Sequence, residues 1–137
     1  MPSTENSAPR PVAAIAGAAA ADALLIMLFA AIGRDAHARG DVLTGVLLTA
    51  WPFLAGAAVS WVALRLWRGP LAVWPAGVAV WLGAVGIGMA LRAATGQTVV
   101  LPFVIVALIS LAVLLLGYRL LVLGILRLRR SRRQGLM

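Results

Sequence analysis

Residues 98–126 read TVVLPFVIVALISLAVLLLGYRLLVLGIL, 29 positions with a single charge, Arg119, and no acid. As a helix this stretch is about 43 Å long at about 1.5 Å per residue. That exceeds the roughly 30 Å hydrocarbon core of a bilayer, which about 20 apolar residues cross. An open strand of this composition is excluded, because each unpaired backbone group costs several kcal/mol in lipid. N-terminal to it lie three further apolar runs, 12–32, 42–67 and 71–91, each long enough to span. The 137-residue chain is 63% apolar and 12% charged, with a mean hydropathy of +1.01. Soluble domains are about 45–50% apolar and about 25% charged, and a fold of this size has too little interior to hide the surplus. A soluble globular domain and a disordered chain are therefore excluded. The fold class is all-α: a polytopic membrane protein, an up-down bundle of four transmembrane helices.

Residues 1–11 are expected to form a disordered cytoplasmic tail, 12–126 the transmembrane domain with helices over about 12–32, 42–67, 71–91 and 98–126, and 127–137 a basic cytoplasmic tail. The connections 33–41, 68–70 and 93–97 are short, so consecutive helices run antiparallel. Ala36-His37-Ala38 mimics a signal-peptidase site. The apolar run before it is longer than the about 7–15 residues of a signal-peptide core, and Arg34-Asp35 precede the would-be cut. A retained helix is expected.

The twelve basic residues are all Arg and face four acids, for a net charge of +8. Five of them (Arg127, Arg129, Arg130, Arg132 and Arg133) crowd the C-terminus. Such a tail is expected on anionic lipid head groups, at about 1 kcal/mol per Arg. Nucleic acid is not an expected partner, because no aromatics interleave the basic run and no folded basic domain lies behind it. With both termini cytoplasmic, the inside carries Arg10, Arg65, Arg68 and the tail, and the outside carries Arg34, Arg39 and Arg92. The positive-inside rule selects that orientation in the cell (inner or plasma) membrane, with Trp67 and Trp74 flanking the inner turn.

Asp22 falls about 15 Å into the first helix. Acids at that depth are costly and face a partner or a cavity. Arg119, at a similar depth from the inner face, is the candidate partner; alternatively the fourth helix exits near residue 118 and Arg119 snorkels to the interface. A second polar group, Arg34, Asp35, His37, Arg39, Asp41 and Arg92, falls on the outer side. It reads as a solvated, salt-bridged loop, with a ligand or proton-relay site as the alternative. One His and two carboxylates fall short of a closed metal-ligand set, so neither metal nor cofactor is expected. With no Cys, thiol catalysis and disulfides are excluded. Ser60 and Ser110 have no His near them in sequence, and Gly86-Ile87-Gly88 lacks the third Gly and the preceding strand of a dinucleotide fingerprint. No catalytic residues are assigned.

Gly17/Ala21, Gly56/Ser60 and Ala84/Gly88 are small-xxx-small pairs suited to close helix packing. Pro52 removes a backbone donor in the second helix and is expected to kink it, so the carbonyl near Leu48 needs another donor. Pro102 sits in a first turn, where it is harmless. Pro52-Phe53 and Pro102-Phe103 hint at duplicated hairpins, a transporter device, although the Pro-to-Arg spacings of the two halves differ.

The set Asp22, Phe29, Gly33-Arg34, His37, Pro52-Phe53, Gly56, Trp81, Gly88, Arg92, Phe103 and Arg119 resembles the signature of a family of small prokaryotic membrane proteins known as domain of unknown function number three thousand and fifty-four. The resemblance runs from about residue 20 to 119. Where that family commonly has Gly-Trp-Arg, this chain has Gly117-Tyr118-Arg119. The resemblance implies a fold and a residue set, and no activity.

Three functions are compatible with these residues. The first is a non-enzymatic small subunit or accessory of a membrane complex. The second is a small oligomeric transporter of a proton-coupled or anionic solute that uses Asp22. The third is an intramembrane enzyme acting on lipid or quinone through the outer cluster.

Overall fold

A computed structural model describes residues 11–35, 42–97 and 99–135. All regular structure among them is helical. Helix α1 spans Pro11–Asp35, α2 Val42–Ala63, α3 Val78–Ala94, α4 Leu101–Leu111 and α5 Gly117–Gly135. A wide π-turn, Ala112–Leu116, joins α4 to α5, so that the two form one continuous fourth span. Four segments are long and apolar enough to cross a membrane: Val12–Gly33, Leu43–Ala63, Val73–Ala94 and Leu101–Gly135. The protein is a multi-pass bundle of four such helices. The expected tail over residues 1–11 and the loop residues 36–41 lie outside the described residues, apart from Pro11, which starts α1.

These helices are apolar nearly all round, as expected of spans that face lipid on one side and each other on the other. Leu24, Ile32, Leu43, Val62, Ile109 and Val113 are exposed, which a bilayer tolerates and water does not. The interior is built from Ile26 and Phe29 of α1, Phe53 of α2, Val80 of α3, and Leu111 and Leu115 of the fourth span. Helices α2 and α3 form the most extensive pair, with α1 against α2 and the fourth span against α3 and α1. Gly56, Gly83 and Gly88 make the first contact possible. A Cβ on Gly56 would strike the Gly83 carbonyl, one on Gly83 would strike the Ser60 hydroxyl, and one on Gly88 would come within 2.9 Å of Phe53. The pair Gly17/Ala21 has no such role, since a Cβ on Gly17 would meet nothing within 4 Å.

Two differences from the sequence-based boundaries bear on the architecture. Helix α2 stops at Ala63 instead of continuing to residue 67, because Arg65 takes a left-handed conformation (φ 51°, ψ 52°) that caps the helix and reverses the chain. Leu66 then turns inward and is 3% exposed. The connection to α3 is correspondingly longer than the expected 68–70. It contains a short 3-10 turn, Leu66–Arg68, and a wide turn, Val73–Gly77, closed by the Gly77 amide donating to the Ala72 carbonyl at 2.9 Å. Trp67 and Trp74 lie exposed along it. At the other boundary, the basic segment after residue 126 is no irregular tail: α5 stays helical to Gly135.

Pro52 lies in the middle of α2 and is buried. The carbonyl it leaves without its i+4 donor belongs to Leu48, and the Gln97 side-chain amide donates to that carbonyl at 3.4 Å. Gln97 is in turn held by Arg92, whose Nη1 donates to its Oε1 at 2.8 Å. Gln97→Leu is therefore expected to destabilise the chain by about 0.5–1.5 kcal/mol. The cost should shrink in a Pro52→Ala background, where the restored amide can serve Leu48. A double-mutant cycle of unfolding free energies in detergent measures the coupling, and strict additivity would refute the link. Pro102, by contrast, occupies the first turn of α4, so Pro52 and Pro102 are not structurally equivalent positions of a duplicated hairpin.

Candidate functional site: a buried arginine–carboxylate centre

The residue that most needs a partner in this fold is Asp22, on the inner face of α1 and 2% exposed. It meets Arg119 of α5, which is 0% exposed. The guanidinium lies flat against the carboxylate: Nη1 donates to Oδ1 and Nη2 to Oδ2, both at 2.8 Å. This parallel two-bond geometry is the strongest form of the pair. Arg119 does not extend outward from the bundle; its side chain is enclosed by it. Gly77 provides part of that space, since a Cβ there would come within 2.9 Å of the Arg119 Cδ.

Two aromatic residues complete the carboxylate's coordination. Tyr118 donates its hydroxyl to Oδ1 at 2.8 Å, and Trp61 of α2 donates its indole N–H to Oδ2 at 2.9 Å. Each oxygen thus accepts two hydrogen bonds, which fills the roughly four lone-pair sites of a carboxylate. Arg119 spends further donors on backbone: Nε on the Pro70 carbonyl at 3.0 Å and Nη1 on the Leu115 carbonyl at 3.1 Å. Its guanidinium carbon lies 4.8 Å from the centroid of the Tyr118 ring. Through this one pair α1, α2, α5 and the α2–α3 connection are tied together.

The left-handed Arg65 and the π-turn explain how the chain reaches this arrangement. The early end of α2 brings the Pro70 carbonyl back to the bundle, where Arg119 finds it. In the fourth span Ala107, Leu111, Leu115 and Arg119 are all buried, at steps of four residues. A regular α-helix with 3.6 residues per turn drifts about 40° per such step, and the wider turn over 112–116 takes up part of the drift.

Sequence reasoning singled out Asp22 and Arg119 but assigned no role to Trp61, Tyr118 or the Pro70 carbonyl. The available signal was Tyr118 itself, a hydroxyl within an apolar span, next to the one charge.

The outer polar group is only partly described. Arg34 and Asp35 close α1, with side chains outside the described residues, as are His37, Arg39 and Asp41 entirely. Arg92 is tucked inward: besides Gln97 it covers Phe103, its guanidinium carbon 4.6 Å from the ring centroid. That ring belongs to a trio with Phe29 and Phe53, at centroid separations of 5.5–6.2 Å. Among the described residues no three His, Cys or carboxylate side chains come together to hold a metal. The arginines Arg127, Arg129, Arg130, Arg132 and Arg133 are exposed along α5.

A groove of about 290 Å³ runs between α1 and α2, walled by small residues including Ala19, Ala23 and Ala58, with Asp22 and Trp61 at its edge. It is open on one side, towards lipid in a bilayer.

No curated protein and no solved structure matches the chain. A family model described as a protein of unknown function, DUF3054, matches residues 19–122. The matched segment contains Asp22, Trp61, Tyr118 and Arg119, and it ends before the first of the five C-terminal arginines.

Proposed function

The chain belongs to the DUF3054 family of proteins of unknown function, and from that premise we propose that it is a non-enzymatic integral membrane protein, a small subunit or accessory of a larger membrane complex. One observation carries the reading: Asp22 accepts four hydrogen bonds from its own chain. A carboxylate so committed holds helices together and has no lone pair to spare for a travelling proton or a solute. The long apolar faces of α1 and the fourth span then supply area for partner helices. The protein sits in the cell membrane with both termini in the cytoplasm, which places Arg65, Arg68 and the five arginines of α5 on the positive side.

A second reading, transport of a proton-coupled or anionic solute, is favoured by the groove between α1 and α2 that reaches Asp22. It requires Asp22 to release donors during each cycle. Native mass spectrometry of the tagged full chain, extracted from its own membrane in mild detergent, separates the two. A stoichiometric foreign subunit is the expected result. A homo-oligomer free of other proteins, with solute flux in proteoliposomes abolished by Asp22→Asn, would overturn the subunit reading.

A further inference from the structure

We propose that the far end of the fourth span holds one anionic phospholipid, its phosphate at Arg127 and Ser131 and an acyl chain along Leu120, Leu121, Gly124 and Ile125. These residues and Leu128 all lie on α5 and line a shallow, open groove of about 560 Å³. Gly124 is a position without a side chain on this face, open enough that a Cβ there would meet nothing within 4 Å. Its polarity is graded, with apolar walls N-terminally and a guanidinium and a hydroxyl one turn apart at the C-terminal end.

Depth selects the ligand. Arg119 meets Asp22, about 15 Å into the first span, so residues 120–125 run through the inner half of the hydrocarbon core and Arg127, about 12 Å beyond Arg119, reaches its edge. The groove lies where acyl chains give way to head groups, and its change from apolar to cationic occurs at that level. Charge selects the ligand's sign. Arg129, Arg130, Arg132 and Arg133 share this end of α5, and the sequence has no acid after Asp41, so no carboxylate on α2–α5 can neutralise them. A second copy of the chain would bring five more arginines against these, whereas an anionic lipid supplies both the apolar length and the negative head. The matched family segment stops at residue 122, so the head-group end of the site, Arg127 and Ser131, lies beyond it, and none of the site's residues takes part in the ion-pair centre.

The test is native mass spectrometry of the full chain in detergent with added phosphatidylglycerol or phosphatidylcholine. One phosphatidylglycerol should be retained about tenfold more than phosphatidylcholine, a difference of about 1.4 kcal/mol. Gly124→Leu fills that open position without altering charge, and Arg127→Gln removes the cation; each should abolish that preference. The double substitution Arg132→Gln/Arg133→Gln should leave it intact. Equal retention of both lipids would overturn the proposal. So would a loss that tracks the number of arginines irrespective of position, or an unchanged Gly124→Leu. Circular dichroism of each variant confirms that the helices are retained, and none of these positions packs within the bundle.

Discussion

Asp22→Leu is expected to lower the unfolding free energy in detergent by about 3–5 kcal/mol, the usual cost of stripping a buried ion pair of one partner. The cause is the arginine left behind. A guanidinium has no accessible neutral form, so Arg119 would stay charged inside the bundle with only the Pro70 and Leu115 carbonyls for company. Arg119→Met is expected to cost less, because Tyr118 and Trp61 still donate hydrogen bonds to the carboxylate left behind. The double variant Asp22→Leu/Arg119→Met should be more stable than Asp22→Leu alone, since replacing both charges by apolar groups removes the desolvation penalty along with the attraction. Reversible unfolding monitored by tryptophan fluorescence gives all three values. If the single costs merely add in the double variant, the two residues do not form the unit described.

The second large effect is expected at the crossing of α2 and α3. Gly56→Val places its Cβ on the Gly83 carbonyl and 3.1 Å from the Ala84 Cα. Both obstacles are backbone, so no rotamer change relieves the clash and the helices must move apart. The cost should exceed the about 1–3 kcal/mol of ordinary overpacking and appear as loss of folded, monodisperse protein on size exclusion. Gly17→Val is the matched control: that position is exposed, and its change should stay within about 0.5 kcal/mol. Equal behaviour of the two variants would mean that α2 and α3 do not approach this closely.

How much of this was legible in the sequence follows from the physics of each feature. The spans are legible because hydropathy and length act locally. Asp22 and Arg119 stand out because a charge in hydrocarbon is expensive wherever its partner lies. Leu48's need for a donor follows from Pro52 by counting four residues back, but Gln97 does not, since a side chain 49 positions away becomes a neighbour only after folding. Trp61 and Tyr118 were passed over because an aromatic in a span has several uses, and a polar tip does not say where it points. Arg65 was missed for a different reason: Gly69 nearby is the better left-handed residue, and only the assembled bundle shows why the reversal comes earlier. His37, Arg39 and Asp41 fall outside the described residues.

The π-turn at Ala112–Leu116 has a consequence for relatives of this chain. A wide turn holds one residue more than the α-turn it replaces, so a relative one residue shorter there can close the turn to a regular helix and still bring its arginine to the carboxylate. Alignments across the family are expected to show single-residue gaps concentrated between Leu111 and Gly117, flanked by columns that stay fixed. Indels in a transmembrane helix are ordinarily excluded; here the fold provides a place where one can be absorbed.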